Sequence, residues 1–122
     1  MVSPINPNQG SALPPLHQVN ENLSVTGQIS PEAVAALAGA GFRSIICNRP
    51  DGEAMGQPTA AEIEAAAAQA GLGFRFIPVS GGQILPESVD AFADAMQELP
   101  GPVLAYCAAG VRSSVLARAA GV

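Results

Sequence analysis

The chain has 122 residues, 48% hydrophobic and 12% charged, enough for one domain with an apolar core and too few for two. Ten Asp and Glu stand against five Arg and no Lys, a net charge of -5. That balance excludes the broad basic face on which nucleic-acid binding depends. With no Trp, one Tyr and four Phe, the core must be built from Ala, Val, Ile and Leu, which suits helices packed closely on a sheet.

Residues 1–18 carry Pro4, Pro7, Pro14 and Pro15 among small polar residues without periodicity, and read as a flexible arm. A single domain is expected over 19–122. Leu23 to Thr26 is a short strand ending at Gly27. Ser30 caps a helix with Pro31 at its first position and Glu32 at its positive end, with Val34, Leu37 and Ala38 on one face. Phe42 to Cys47 reads as a buried strand, followed by the polar loop Asn48-Arg49-Pro50-Asp51-Gly52. Thr59 and Glu62 form a capping box for an Ala-rich helix that stops at Gly71.

Phe74 to Val79 reads as another buried strand. A third helix runs from about Pro86 to Leu99, with Val89, Phe92, Ala93 and Met96 at helical spacing. Val103 to Tyr106 is the last strand, and a helix starts near Arg112 or Ser113. With only about eight residues before the chain ends at Val122, that helix must rely on packing, either as a minimal natural element or as a longer one cut short. Strands alternating with helices imply an α/β fold: a mainly parallel central sheet flanked by helices, with chemistry at the carboxyl ends of the strands.

The chemistry concentrates between Cys107 and Ser114. A thiol leaves the end of a buried strand, a loop of small residues follows, and a helix begins at an arginine. Successive backbone N–H groups and the positive helix end favour a thiolate there, and the same cradle binds a tetrahedral oxyanion. Ala108, Ala109, Gly110, Val111, Ser113 and Ser114 are the expected anion-binding loop, with Arg112 as a two-donor clamp. Cys107 is the expected nucleophile, whereas Cys47 reads as a small buried hydrophobe. Asn48-Arg49-Pro50-Asp51 reads equally as a turn closed by an Asx hydrogen bond or as a loop bringing Arg49 or Asp51 to the anion site. No Cys/His cluster suggests zinc, and no other cofactor is expected. The first ten residues lack the basic and apolar regions of a secretory signal, and no apolar run is long enough to span a membrane. The expected location is the cytoplasm, with two reduced thiols.

The blocks Ser24 to Ile29, Asn48 to Glu53, Gln57-Pro58-Thr59, Ile77-Pro78-Val79 and Cys107-x-x-Gly110-x-Arg112-Ser113 together resemble the phosphatase-like domain of beta-lactamase-hydrolase-like proteins. The resemblance covers about residues 16 to 120. It implies a fold similar to dual-specificity phosphatases, and an activity that is either phosphatase or rhodanese-like sulfurtransferase, with Cys107 as nucleophile and Arg112 and the loop amides as oxyanion clamp.

Departures from the phosphatase pattern order the two activities. Four residues separate Cys107 from Arg112 where protein phosphatases of this type place five, Ser80-Gly81-Gly82 follows Ile77-Pro78-Val79 where a general-acid Asp is usual, and Tyr106 replaces the usual His. A departing alkoxide needs a proton, which leaves Asp51 to supply it. Sulfur transfer through a Cys107 persulfide is therefore the first expectation and phosphate-monoester hydrolysis the second, with a non-catalytic anion-binding module third. The expected partners are a small anion (thiosulfate, a persulfide or a phosphate ester) and a thiol acceptor, with neither nucleic acid nor membrane involved.

Overall fold

The computed structural model describes residues 13–81 and 83–122. In chain order these form strands β1 (His17–Asn20) and β2 (Leu23–Thr26), helix α1 (Pro31–Gly39), β3 (Ser44–Cys47), α2 (Ala60–Gln69), β4 (Gly73–Phe76), α3 (Pro86–Glu98), β5 (Val103–Tyr106) and α4 (Val111–Ala120). The strands make one sheet in the order β1-β2-β5-β3-β4. All neighbours are parallel except β1, which pairs antiparallel with β2. Every residue of the central strands β3 and β5 is buried, and each reads as a nearly continuous apolar run, as strands covered on both faces do.

Alternation along these strands divides the core into two layers. Val103 and Ala105 of β5 join Ile46, Phe92 and Leu116 beneath α3 and α4. Leu104 and Tyr106 join Ile45, Leu37 and Ile63 beneath α1 and α2. The parallel register sets Ile45 beside Leu104 and Ile46 beside Ala105, so both strands feed the same two layers. Ile45, Ile46 and Leu104 are fully buried, and truncating any of them to Ala would cost about 2–5 kcal/mol. The helix starts are built as their residues dictate. Ser30 Oγ accepts from the Ala33 amide at 3.2 Å, and Thr59 and Glu62 exchange reciprocal capping bonds at 3.1 and 2.8 Å.

Three boundaries differ from the sequence reading. His17 and Gln18, placed in the arm, pair with β2; residues 1–12 of that arm lie outside the described residues. The segment 74–79 is not one buried strand. β4 occupies the sheet edge, pairs on one side only and leaves Phe76 44% exposed, while the buried Ile77 and Val79 follow it. Helix α4 begins at Val111 because Gly110, at φ +88°, turns the chain into it. Among the described residues no helix is long and apolar enough to cross a membrane.

Candidate active site

β5 delivers Cys107 to the carboxyl edge of the sheet, between the ends of β2 and β3. The end of β2 shapes the loop: the Cys107 amide donates to Thr26 O and the Gln28 amide to Ala108 O, both at 3.3 Å. Gly27 bridges Ala109, and a Cβ at Gly27 would stand 2.8 Å from Ala108 O, so the close approach requires glycine. Gly110 is in the left-handed region with the Thr26 backbone against it. That conformation aims its amide at Cys107 Sγ, 3.0 Å away.

Cys107 is buried. Burial pushes the thiol up, but the Ser113 and Ala109 amides, the Ser113 hydroxyl and the Arg112 amide outweigh it and hold the pKa below the ordinary value. The Val111, Arg112 and Ser113 amides open α4 and have no acceptor within the helix, which makes its start an anion site. The Ser114 amide differs: it donates to Gly110 O at 3.0 Å, so the backbone of this expected loop member is committed to the helix.

Arg112 lies in the first turn of α4 with its guanidinium fixed from outside the loop. Its Nη1 and Nη2 donate to Glu53 Oε2 and Oε1 at 2.8 and 2.9 Å, and Nη1 also donates to Val79 O at 2.8 Å. A guanidinium has five N–H donors. Three are thus committed among the described residues, leaving there Nε–H and one Nη2–H, which lie along the same edge and form a second two-donor fork. Glu53 and, against burial, the Cys107 sulfur raise the Arg112 pKa.

Glu53 is shared. Arg49 Nε donates to Glu53 Oε1 at 3.0 Å and Arg49 Nη1 to Gln28 Oε1 at 3.0 Å. Hydrogen bonding from Arg112, opposed by burial and joined by Arg49, lowers the Glu53 pKa to about 2, so Glu53 is an anchor and a poor proton donor near neutral pH. Gln57 closes the loop that carries it, accepting the Glu53 and Ala54 amides at 3.1 and 3.2 Å and donating to Pro50 O at 2.9 Å. Arg49 thus reaches the site as a brace on Glu53. Asp51 Oδ1 accepts the Ala60 amide at 2.8 Å, tying the loop to the start of α2.

Asn48 closes no Asx turn among the described residues, Pro50 two positions on having no N–H to offer. Its Nδ2 donates to Ile77 O and its Oδ1 accepts from Ser113 Oγ, both at 2.9 Å, and both side chains are fully buried. A serine hydroxyl has one proton, which this structure gives to Asn48, so the hydroxyl donates to the Cys107 sulfur only by releasing Asn48. Sequence reading missed Glu53 and Asn48 as site residues. Both lay in the polar block after β3, whose composition was the available signal.

Tyr106 and Cys47 belong to the other face, because alternation turns Tyr106 away from the cradle into the α1/α2 layer. Its hydroxyl has no hydrogen-bond partner among the described residues, and burial followed by the neighbouring Cys47 thiol raises the phenol pKa. Cys47 is buried, its pKa raised by that burial, and its thiol donates to Arg49 O at 3.4 Å. Among the described residues no three His, Cys, Asp or Glu side chains group as metal ligands.

A cysteine whose pKa is lowered by loop amides, followed by an arginine clamp, is the constellation of cysteine-dependent phosphatases, and comparisons with known proteins place the chain among phosphatase-like domains. A beta-lactamase hydrolase-like protein of Agrobacterium fabrum is 42% identical over 99 residues, which are 81% of this chain and 23% of that protein. The chain therefore spans about a quarter of the curated relatives it matches. A Neisseria meningitidis structure provisionally named a phosphatase superposes with TM-score 0.76 at 33% identity, over 92% of this chain and 89% of the other. The core catalytic domain of an S. cerevisiae PP-IP phosphatase shares the fold at TM-score 0.62 and 15% identity, over 89% and 78% of the two chains. The sequence pattern of the family described as the phosphatase-like domain of beta-lactamase hydrolase-like protein matches residues 15–121, and the chain belongs to that family.

Proposed function

We propose that this domain hydrolyses phosphate monoesters through a cysteinyl-phosphate intermediate. The Cys107 sulfur attacks phosphorus and the ester oxygen departs; water then attacks the phosphocysteine, releasing inorganic phosphate and restoring the thiolate. The observation that carries the reading is the pairing of an acidified thiol with an arginine held by Glu53 so that one two-donor edge stays free for the oxygens of a tetrahedral dianion. The phosphatase-fold neighbours support it. Asp51 is assigned a bracing role through the Ala60 amide, in place of the acid role expected from sequence. Leaving groups that depart without a proton, such as acidic phenols, are then the favoured substrates.

Sulfur transfer through a Cys107 persulfide stands second, favoured by the four-residue spacing between Cys107 and Arg112. One set of measurements tests both. Incubation of the protein with p-nitrophenyl phosphate should release nitrophenol and leave a phosphoryl group on Cys107 in rapidly quenched samples. Cys107→Ser should lose turnover while still binding inorganic phosphate by calorimetry, since the amide cradle does not depend on sulfur. Substantial hydrolysis by Cys107→Ser would refute the covalent route. A gain of sulfur on Cys107 from thiosulfate, without phosphoryl transfer from any ester, would put the second reading first.

A further inference from the structure

Beside the cradle lies a cleft of about 790 Å³ whose lining includes Ala108, Ala109 and Gly110 but neither Cys107 nor Arg112. One wall is a face of α4, where Val111, Ser114, Val115 and Arg118 follow at helical spacing. The facing wall is the segment leading into β1, and the floor is the end of β2. Its size suits an organic molecule rather than an inorganic ion, since ligand sites commonly enclose about 300–1,000 Å³.

Two features identify the occupant. Exposed apolar side chains gather here: Val111, Val115 and Leu16 all line the cleft and are exposed among the described residues. The charge sign is also unlike the rest of the molecule. The chain carries ten Asp and Glu, yet none lines the cleft, whose charged or titratable members are Arg118 and His17. Arg118 makes no salt bridge or side-chain hydrogen bond with the described residues, whereas Arg49, Arg75 and Arg112 are each paired with a Glu. It stands eight residues beyond Gly110, about 12 Å along the helix at about 1.5 Å per residue.

We propose that this cleft binds the body of the substrate. It selects phosphate monoesters of elongated, apolar phenols that carry a second negative group, which Arg118 receives at the end remote from the cradle. The substrate class rests on the phosphatase reading, since one end of the ligand must lie in the Cys107 loop; the cleft itself does not. Ala108, Ala109 and Gly110 line the cleft and belong to the loop that carries Cys107, so the cleft adjoins the cradle.

The test compares phenyl phosphate, biphenyl-4-yl phosphate and 4′-carboxybiphenyl-4-yl phosphate, the last holding its two charges about as far apart as Gly110 and Arg118. KM should fall along this series for the native protein. Arg118→Glu should raise KM for the carboxylated ester by about fivefold, the size expected of an exposed ion pair that is lost and reversed, and leave phenyl phosphate unchanged. Val115→Asn should raise KM for both biphenyl esters alike. Equal KM values across the series, or an Arg118→Glu effect shared by phenyl phosphate, would overturn the proposal. If no ester is hydrolysed, the phosphatase reading fails, and calorimetry with 4′-carboxybiphenyl-4-ylphosphonate judges the cleft alone. Binding weakened by Arg118→Glu then supports it, and absent or unchanged binding rejects it.

Discussion

Glu53 grips Arg112 by both carboxylate oxygens, at 2.8 and 2.9 Å, across 59 residues of sequence. The Glu53 side chain is 28% exposed, so the value of the contact lies less in stability than in aim: it fixes which edge of the guanidinium faces the loop. Glu53→Gln keeps the shape and one acceptor but loses the charge and half the fork. We expect kcat on aryl phosphates to fall by about 10- to 100-fold, the scale of a misaimed catalytic group, while the melting temperature moves little. Steady-state kinetics beside thermal melting checks this; a loss of activity matched by a large loss of stability would reduce Glu53 to a structural role.

The pH behaviour divides between two groups. Glu53, lowered from 4.5 to about 2, contributes a stability that its solvent exposure keeps small, complete above pH 4.5 and lost as pH falls toward 2, and that Glu53-dependent part of the acid destabilisation should be missing in Glu53→Gln. Cys107, whose pKa is lowered from the ordinary 9.0, sets the acid limb of activity, because rate falls as the thiolate is protonated.

Ser113 should shift that limb. Removing its hydroxyl leaves Asn48 Oδ1 buried without its partner and takes from the sulfur a donor that reaches it only when Asn48 is released. In Ser113→Ala the pH profile of Cys107 alkylation by iodoacetamide should move to higher pH, and stability should drop by about 1–3 kcal/mol. An unmoved alkylation profile would show that the amides alone hold the thiolate.

Gly27 tests the loop's support. Its missing side chain lets Ala108 O approach to where a Cβ would stand at 2.8 Å. Gly27→Ala must push the loop backbone away, and phosphate affinity measured by calorimetry should weaken several-fold. Unchanged affinity would mean that the loop shifts as a unit.

Asp51 separates a brace from an acid. Asn at position 51 still offers an oxygen to the Ala60 amide, so Asp51→Asn should change hydrolysis by no more than a few-fold for both good and poor leaving groups. A selective loss on poor leaving groups, by about two to four orders of magnitude, would restore Asp51 as the proton donor.

Local sequence determined much of this protein. Ser30, Thr59 and Glu62 wrote their helix caps, because capping bonds span three residues, and the apolar runs ending at Cys47 and Tyr106 declared central strands because burial on both faces leaves no room for polar alternation. Cys107, Gly110 and Arg112 announced an oxyanion loop because one turn of chain suffices to build it. Tertiary structure alone decided how that loop is held. Glu53 meets Arg112, and Asn48 meets Ser113, only because β3 and β5 are adjacent in the sheet and release their loops at the same edge. The edge position of β4 likewise follows from sheet order, which no periodicity encodes. Side-chain pairs separated by 59 and 65 residues leave no local pattern, since the chain between them contributes topology rather than contact.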